Sequence, residues 1–336
     1  MRKLARIEEI TNIQPIEGAD AIELAMIKGW NVVVKKNEFK IGDKCVYFEI
    51  DSFLPLKEEF EFLRKTSYKK LSDGTEGFRL KTIKFRGQIS QGLALPVSIL
   101  KEKQKDFKSG DDVSEITGVI KYEPPAPASL CGEIKGPHPS FFPKTDEERI
   151  QNLTEYYSGW HDLDFYVTEK LDGTSMSAYL NNGDFGICTR NNEIKEDKSI
   201  TYWKVAEELN LKEKLSSLPY NAAIQGELIG EGIQTNFYKL RGQTVKFFDV
   251  FNIDEKRYLF YEELLATIKK LGLDIVPVTN ECFKLPKTVE ELIRYADGKS
   301  TIKPEADREG IVLRTKKDKR VSFKVISNHF LLKEKN

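Results

Sequence analysis

The feature that most limits how this chain can fold is a cluster of prolines before its midpoint. Six of the thirteen prolines fall between Gly118 and Thr145, namely Pro124, Pro125, Pro127, Pro137, Pro139 and Pro143. Proline fixes φ and removes a backbone donor, so this stretch is a poor helix and a poor central strand. It predicts a linker over residues 121–145, between an N-terminal domain (1–120) and a C-terminal domain (146–336). Two domains also suit a chain of 336 residues.

The N-terminal segment carries short apolar runs rich in strand-forming residues. Turn signals such as Gly42-Asp43 separate several of them, and the runs are Ile22 to Ile27, Trp30 to Val34, Cys45 to Ile50 and Leu93 to Leu95. About five short strands in a segment of this length predict a small barrel. We expect an OB-type β-barrel, because that fold commonly presents a strand face to oligonucleotides.

The C-terminal segment alternates irregularly between predicted strands and helices. The strands are predicted at Phe165–Lys170, Met176–Leu180, Ala223–Leu228, Val245–Phe251, Gly310–Arg314 and Val321–Ile326. The helices are predicted at Ile200–Leu209, Tyr261–Leu271 and Val289–Ala296, the last of them with the capping-box pair Thr288 and Glu291. Mostly antiparallel β structure with peripheral helices predicts an α+β domain. The sequence has neither a GxGxxG string nor a Walker lysine loop.

The formal net charge is zero, which taken alone argues against a nucleic-acid partner. The charge is unevenly distributed, however, and local fields steer a polyanion. Between Leu63 and Gln91 eight basic residues face only two acidic ones. A second basic run faces only Asp318 and comprises Arg314, Lys316, Lys317, Lys319, Arg320 and Lys324. Two solvated surfaces would look the same, so the runs leave both interpretations open.

Several classes of protein are disfavoured by composition. No uncharged apolar run approaches the ~20 residues of a membrane helix, and charges interrupt the N-terminus where a signal peptide would be apolar. The four cysteines form no CxxC pair, so neither a zinc site nor a disulfide framework is indicated. We therefore expect an intracellular protein that does not enter a membrane.

One short string is the candidate catalytic motif. It is the run Glu169-Lys170-Leu171-Asp172-Gly173-Thr174-Ser175. A Lys-x-Asp-Gly string alone is weak, since composition would produce one in roughly a tenth of chains this size. It could equally be a lysine that ends a strand before an Asp-Gly turn. An ordered series of further motifs strengthens it, namely Thr189-Arg190-Asn191, Gly226-Glu227-Leu228, Phe247-Phe248-Asp249-Val250, Glu309-Gly310-Ile311-Val312-Leu313-Arg314 and Ser322-Phe323-Lys324.

This series resembles the covalent nucleotidyltransferase superfamily, which comprises DNA ligases, RNA ligases and mRNA-capping guanylyltransferases. The resemblance covers roughly residues 140–330. Its details look like ATP-dependent RNA ligases, and an OB domain ahead of the nucleotidyltransferase domain is similar to the layout of Naegleria-type RNA ligases. The segment Pro143 to Asn152 also resembles that group. The resemblance implies that Lys170 becomes covalently attached to AMP.

Lysine chemistry explains why a divalent cation, and carboxylates to hold it, should lie beside such a residue. An amine attacks only when neutral, and an ordinary lysine pKa of ~10.4 leaves well under a thousandth neutral at pH 7. Carboxylates alone would raise that pKa, whereas a divalent cation near the α-phosphate would lower it and balance the developing charge. Asp172, Glu227 and Glu309 are the candidates to hold Mg²⁺ or Mn²⁺, directly or through water. Each could instead be a turn residue or an ion-pair partner.

Further roles follow only from the resemblance. Arg190 and Glu227 would contact the ribose, and Phe248 would stack on adenine, with Phe247 and Phe251 on the other face of their strand by alternation. The opposite adenine face stays open, since the family pattern implies Val312 and alternation from Glu309 implies Ile311. The remaining contacts to ATP would come from Arg149 at the phosphates, Thr168 at the adenine edge, and Glu169 and Lys324.

The last motif departs from the family pattern. Related RNA ligases often carry two basic residues there, one residue apart, but Ile326 stands at the second position. Lys324 alone would then neutralise the α-phosphate, with Arg149 or Arg320 compensating elsewhere. Capping enzymes and DNA ligases typically have an OB domain after the nucleotidyltransferase domain. Since only about twelve residues follow Lys324, both are disfavoured.

The sequence therefore predicts an RNA ligase that joins 3′-OH and 5′-phosphate RNA ends as a monomer, with RNA repair as its role. In the N-terminal barrel, Lys81, Lys84 and Arg86 would contact the RNA, although they could instead form a solvated edge. The alternative from another class is a non-catalytic RNA-binding protein with a degenerate nucleotide pocket. Such a protein would be expected to have lost charged positions, yet Lys170, Arg190, Glu227, Glu309 and Lys324 are all present.

Overall fold

The computed structural model describes residues 3–71, 73–100, 106–124, 130 and 132–333. The chain divides into two compact units, residues 1–126 with 331–336 and residues 127–330. None of the helices in the described part of the chain is long and apolar enough to cross a membrane.

The first unit is built almost entirely from short antiparallel strands. Its strands are β1 (Ala5–Glu9), β2 (Asn12–Pro15), β3 (Ile22–Ile27), β4 (Trp30–Lys35), β5 (Lys44–Phe48), β6 (Ser52–Pro55), β7 (Tyr68–Lys70), β8 (Glu76–Arg79), β9 (Ile83–Phe85), β10 (Gln88–Ser90), β11 (Leu93–Pro96) and β12 (Ile120–Lys121). Two helices of one turn, α1 (Arg64–Ser67) and α2 (Ser114–Thr117), and 3₁₀ turns at Glu58–Leu63 and Val97–Leu100 complete it. The strands pair in the orders β1-β5-β11, β2-β3-β4, β12-β6-β8-β7 and β9-β10.

Apolar side chains on alternate positions of β5 explain why these small sheets close on one another. Val46 and Phe48 face one buried cluster with Phe60 and Phe78. Cys45 and Tyr47 face a second cluster that contains Trp30. A strand that is buried on both faces is central, and β5 accordingly pairs with β1 on one side and β11 on the other. The four predicted runs are present as β3, β4, β5 and β11, but the prediction of about five strands was too low, since the described residues of this unit form twelve, and several span only two to four residues.

The second unit combines two antiparallel sheets with helices on their outer faces. Its strands are β13 (Ile134–Pro137), β14 (Phe165–Lys170), β15 (Thr174–Asn181), β16 (Asp184–Cys188), β17 (Asn192–Ile194), β18 (Ala222–Gly230), β19 (Gln243–Asn252), β20 (Arg257–Tyr258), β21 (Val278–Phe283), β22 (Gly310–Thr315) and β23 (Ser322–Ile326). Its helices are α3 (Thr154–Tyr157), α4 (Thr201–Glu208), α5 (Leu211–Ser216), α6 (Tyr261–Lys270) and α7 (Val289–Ala296), and α8 (Asn328–Lys333) follows β23. Short 3₁₀ turns occupy Ile150–Asn152 and Ser158–Trp160.

The seven-stranded sheet has the order β13-β17-β16-β15-β18-β19-β20, and the four-stranded sheet has the order β21-β14-β22-β23. Apolar residues of the large sheet pack against α4, α5 and α6. One face of the small sheet packs against α3 and α7. The six strands and three helices predicted for this segment are all present, which confirms the α+β class. Strand β13 lies within the proline-rich stretch, so part of that stretch pairs with β17 in the sheet.

A β-bulge in β19 changes one prediction about its side chains. Gln225 of β18 pairs with Asp249, and its neighbour Gly226 pairs with Phe247, so Phe248 is the extra residue. A bulge shifts the alternation of the strand beyond it. Phe247 consequently lies in the cluster under the helices, whereas Phe251 lies in a different cluster on the other side of the sheet. The prediction that Phe247 and Phe251 share a face was wrong for this reason.

Candidate active site

Lys170 is the last residue of β14, where the strand gives way to a tight turn. The backbone N–H of Asp172 donates to the Tyr238 hydroxyl at 2.8 Å. Gly173 is packed so closely against β18 that a side chain there would collide with the carbonyl of Leu228. The turn is therefore fixed from both sides, and Lys170 projects from a rigid strand end.

Two carboxylates from other parts of the chain lie close to the Lys170 amine. Glu309 immediately precedes β22, and its Oε2 accepts a hydrogen bond from Lys170 Nζ at 2.7 Å. Its backbone carbonyl accepts from the Ser327 N–H at 2.9 Å, which ties the start of β22 to the end of β23. Glu227 lies on β18, paired across the sheet with Ser175 of β15. Lysine and carboxylates thus come from three separate parts of the chain.

The electrostatics of this group disfavour the neutral form of the Lys170 amine. Burial disfavours the Lys170 ammonium, but Glu309, Glu227 and Asp172 outweigh it and raise the pKa of the lysine. Burial, with the neighbouring carboxylates Glu309 and Asp172, raises the pKa of Glu227 to about 8, although Lys170 opposes the shift. Without another cation, the protein therefore holds a charged lysine within an excess of acidic groups.

These carboxylates fit a hydrated divalent ion better than a directly ligated one. Within the described residues, no three His, Cys, Asp or Glu side chains stand close enough together to ligate one ion. Asp172, Glu227 and Glu309 nevertheless all act electrostatically on Lys170. Mg²⁺ keeps several of its waters, so carboxylates at this spacing suit contact through water.

The face of the small sheet that carries Lys170 also carries other predicted residues. Pairing aligns Thr168 with Val312 and Val312 with Lys324, so these three side chains share the face of Lys170. Ile311 is fully buried in the core on the opposite face. Val312, and not Ile311, therefore lies on the same face of the sheet as Lys170. Alternation from Glu309 misled because Glu309 lies in a bend before the strand begins.

Glu169 is one predicted site residue whose side chain the structure does not bring to Lys170. It points to the opposite face of β14, level with Ile311. Its Oε2 accepts a hydrogen bond from the Thr301 N–H at 2.7 Å. The Glu169 carboxylate therefore anchors the segment that leads to Glu309.

Phe248 occupies the bulge and is aimed differently from its neighbours. Its half-buried side chain packs beside Leu171, Ile229 and Tyr238, next to the Lys170 turn. The guanidinium of Arg314 lies 5.2 Å from the centre of its ring. The bulge thus presents this one aromatic ring at the site while Phe247 stays in the core.

A buried ion-pair network, which the sequence did not reveal, connects the strands around Phe248. Arg314, only 2% exposed, contacts Asp249 Oδ2 through Nε at 3.1 Å and Glu147 Oε1 through Nη2 at 3.2 Å. Its Nη1 donates to Thr168 Oγ1 at 3.3 Å. Arg320 contacts the same Asp249 oxygen at 2.7 Å. Arg314 and Arg320 therefore do not belong to an exposed basic run. The available signal in the sequence was Asp249, a charged residue within the apolar run Phe247–Val250, which indicates a buried partner of opposite charge.

Three cations lie on the side of the site nearest residues 146–149. Arg149 forms a backbone bridge to Lys324, and Arg190 Nη2 contacts Asp146 Oδ2 at 2.5 Å. Lys324 Nζ lies 3.9 Å from Asp146 Oδ1. Burial, followed by the positive charges of Lys170 and Arg149, lowers the pKa of Lys324 to about 8. Asp146 is an acidic neighbour of both Arg190 and Lys324 that sequence reasoning missed.

In the first unit, the predicted RNA-binding residues lie on and beside one hairpin. Lys84 belongs to β9, and Arg86 with Gly87 forms the turn to β10, both with positive φ. Lys81 and Arg86 are exposed, and Lys84 is half-buried. The hairpin also exposes Phe85, at 40%.

Comparisons with known proteins agree with this arrangement. An OB-fold domain model matches residues 4–97, and an RNA ligase model matches residues 163–326. A Naegleria gruberi RNA ligase variant solved with ATP and Mn is 41% identical over 99% of each chain, with a TM-score of 0.87. The N. gruberi RNA ligase with PPi is 42% identical over 98% of each chain, with a TM-score of 0.85. A comparison with curated proteins gave no match.

An OB-fold domain followed by a strand-end lysine among carboxylates defines a covalent nucleotidyltransferase of the ligase type. Identity of 41% over nearly the whole of both chains identifies the branch. The chain belongs to the RNA ligase family. The predicted OB-type barrel and the predicted antiparallel ligase domain are both confirmed.

Proposed function

We propose that this protein is an ATP-dependent RNA ligase that joins a 3′-OH to a 5′-phosphate through a lysyl-AMP intermediate on Lys170. The observation that carries the proposal is the placement of the Lys170 amine 2.7 Å from Glu309, in a chain that matches an RNA ligase throughout its length. All the proposed catalytic side chains come from one chain, so a monomer suffices. The biological role that follows is repair of broken RNA.

In the first step, Lys170 Nζ attacks the α-phosphorus of ATP, a new P–N bond forms and pyrophosphate leaves. The amine must first lose a proton, and Glu309 Oε2 is within hydrogen-bond distance to accept it. Asp172, Glu227 and Glu309 would hold Mg²⁺ or Mn²⁺ through water. Such an ion supplies positive charge that favours the neutral amine and the charged α-phosphate.

The nucleotide would lie on the face of β14 and β22 that carries Lys170. Phe248 and Val312 would enclose the adenine, with the Thr168 hydroxyl at its edge. Arg190 and Glu227 would contact the ribose. Arg149 and Lys324 would contact the phosphates, and Glu169 would support the pocket through its hydrogen bond to Thr301.

In the second step the 5′-phosphate of RNA displaces Lys170 from AMP, which regenerates the amine and gives adenylylated RNA. In the third step the RNA 3′-OH attacks that 5′-phosphate, a phosphodiester forms and AMP leaves. Each displacement exchanges one bond to phosphorus for another, so no oxidant or reductant is needed. A carboxylate beside Lys170 would accept the proton of the attacking hydroxyl.

The reaction is tested by offering nicked duplexes in all RNA and DNA combinations, with α-labelled ATP and Mg²⁺ or Mn²⁺. We expect label on the protein, label on the 5′-phosphate strand and a sealed product when the 3′-OH strand is RNA. Sealing only of a DNA 3′-OH strand would favour a DNA ligase. Formation of a GMP adduct from GTP would favour a capping enzyme, and an absence of any adduct would favour a pseudoenzyme.

The pKa of Lys324 predicts a pH dependence of ATP binding. Because the folded-state pKa is lowered to about 8, the ammonium is largely present at pH 7 and largely lost at pH 9. Loss of one phosphate contact should weaken ATP binding on the order of tenfold across this range. We expect a shallower profile for Lys324→Met and for Lys324→Arg, which stays charged, and the slope that remains is due to Glu227, whose pKa of about 8 lies in the same range. Equilibrium binding from pH 7 to 9 measures this, and an unchanged slope in Lys324→Met would contradict the assignment.

The N-terminal barrel is proposed to bind the RNA strand through Lys81, Lys84 and Arg86. Changing all three to alanine should weaken binding of nicked RNA more than it slows formation of lysyl-AMP. The slope of log affinity against log salt should fall by roughly two to three, as expected for lost phosphate contacts. An unchanged slope would place the RNA elsewhere.

A further inference from the structure

A loop beside the nucleophile is not used by the chemistry described above. It spans residues 231–242, between β18 and β19, with the sequence Glu-Gly-Ile-Gln-Thr-Asn-Phe-Tyr-Lys-Leu-Arg-Gly. The loop follows the strand that carries Glu227 and precedes the strand that carries Phe248. It therefore connects two parts of the proposed nucleotide site.

The loop contacts the Lys170 turn and the segment before Glu309. The Tyr238 hydroxyl accepts from the Asp172 N–H at 2.8 Å, and Gln234 Nε2 donates to the Gly173 carbonyl at 3.2 Å. On the other side, Lys303 Nζ donates to the Phe237 carbonyl at 2.7 Å. The loop thus contacts both the Lys170 turn and the segment that precedes Glu309.

The loop backbone is held in an uncommon shape. Gln234, Asn236 and Lys239 all have φ near +50°, at 47°, 46° and 54°, in the left-handed region that non-glycine residues rarely adopt. The Asn236 side chain fixes this shape by donating to the Leu240 carbonyl at 3.0 Å and accepting from the Leu240 N–H at 3.1 Å. Strain of this kind persists only where surrounding contacts determine the conformation, and it clusters at functional sites.

The outer surface of the loop carries the exposed side chains of Lys239 and Arg241. Within the described residues, neither cation has an acidic partner, whereas most lysines and arginines near the site are already paired or packed. The only acid in the loop is Glu231, at its beginning. The loop that contacts the Lys170 turn thus carries two exposed positive charges.

A polyanion that approaches Lys170 needs such charges. RNA phosphates bind where fixed cations are exposed, and the loop that contacts the Lys170 turn supplies two of them. We propose that the loop 231–242 is an RNA-contact surface, in which Lys239 and Arg241 bind backbone phosphates of the strand that is being sealed. This proposal rests on the function proposed above. It assigns the two residues to the RNA-dependent steps, and not to the attack on ATP.

The test compares the full-length protein carrying both Lys239→Asn and Arg241→Gln with the unchanged protein. Asparagine tolerates the left-handed backbone at residue 239, so the charge is removed without new strain. The matched control is Lys212→Asn with Lys269→Gln, two exposed lysines on α5 and α6. The probe is a nicked RNA duplex whose 5′-phosphate strand is already adenylylated, and self-adenylylation is measured separately with labelled ATP.

We expect the loop variant to bind the nick more weakly, by tenfold or more near physiological salt, with a salt slope smaller by roughly 1.5 to 2. Sealing should fall in proportion, while self-adenylylation stays within about twofold and the control pair behaves like the unchanged protein. The charge-preserving pair Lys239→Arg with Arg241→Lys should retain the original slope.

Two results would overturn the proposal. Equal losses of self-adenylylation and sealing would mean that the loop only supports the Lys170 turn. An unchanged salt slope would mean that RNA does not contact these cations. A failure of the unchanged protein to seal any RNA nick would instead refute the function itself, and comparison with the unchanged protein keeps the two failures apart.

Discussion

Replacing Lys170 with alanine is expected to abolish transfer of AMP to the protein, by a factor on the order of 10⁴ or more. The substitution removes the only nitrogen proposed to form the bond to phosphorus, and no water or neighbouring side chain can replace a covalent intermediate. The measurement is retention of label on the denatured protein after incubation with α-labelled ATP and a divalent metal. Lys284→Ala, an exposed lysine paired with Asp164 in the same unit, is the matched control.

The same variant separates the steps of the reaction. Lys170 takes no part in sealing an RNA strand that is already adenylylated, so this activity should persist at a measurable rate in Lys170→Ala. Label that remains on Lys170→Ala would identify a different nucleophile and refute the assignment. If Lys170→Ala loses sealing and its unfolding transition also changes, the variant is misfolded. The test is then repeated with the longer substitution Lys170→Met.

The largest expected effect on stability comes from the network beneath Phe248. Asp249→Ala should lower the free energy of unfolding by about 3–5 kcal/mol, because it leaves the buried Arg314 and the largely buried Arg320 without their shared carboxylate. Burial alone disfavours the Arg314 charge, and Asp249 and Glu147 offset this and raise the pKa of its guanidinium. Chemical denaturation followed by circular dichroism measures the loss.

A matched control for Asp249 lies in the loop between α6 and β21, where Asp274 contacts the same strand, β19. Asp274 forms an ion pair with Lys246 at 2.8 Å, but its side chain is 68% exposed. Asp274→Ala should therefore cost less than about 1 kcal/mol. Equal costs for the two substitutions would show that the buried network contributes no more than a surface pair. Asp249→Ala should also weaken ATP binding, since Arg314 contacts both Thr168 and the Phe248 ring.

The sequence predicted those parts of the fold that depend on local signals. The bounds of β14 and of α7 match the prediction residue for residue, because an Asp-Gly turn follows the end of β14 and a capping box marks the start of α7. The order of the motifs identified the family for a similar reason. Each motif lies on a strand or directly beside one, where local patterning is strong.

What the sequence could not predict depends on pairing between distant strands. The bulge at Phe248 arises because β18 and β19 fall out of step at Gly226, and a single strand does not reveal this. Arg314 looked like one charge in a basic run until pairing placed it opposite Tyr166, on a buried face. The Asp146 contacts to Arg190 and Lys324 likewise join segments far apart in the chain.

The register of β14 and β22 also has a consequence for how the enzyme is made. Lys170 and Glu309 are 139 residues apart in the sequence, and the strand that brings them together lies between β14 and β23. During synthesis β14 emerges long before β21 and β22, so both of its edges stay unpaired until late in translation, and the face that carries Phe165 and Val167 stays uncovered. An unpaired apolar edge is prone to associate with other chains. We therefore expect the nascent chain to need protection by chaperones until β22 has emerged. We expect it to become able to accept AMP at the same stage, since Glu309 reaches Lys170 only then.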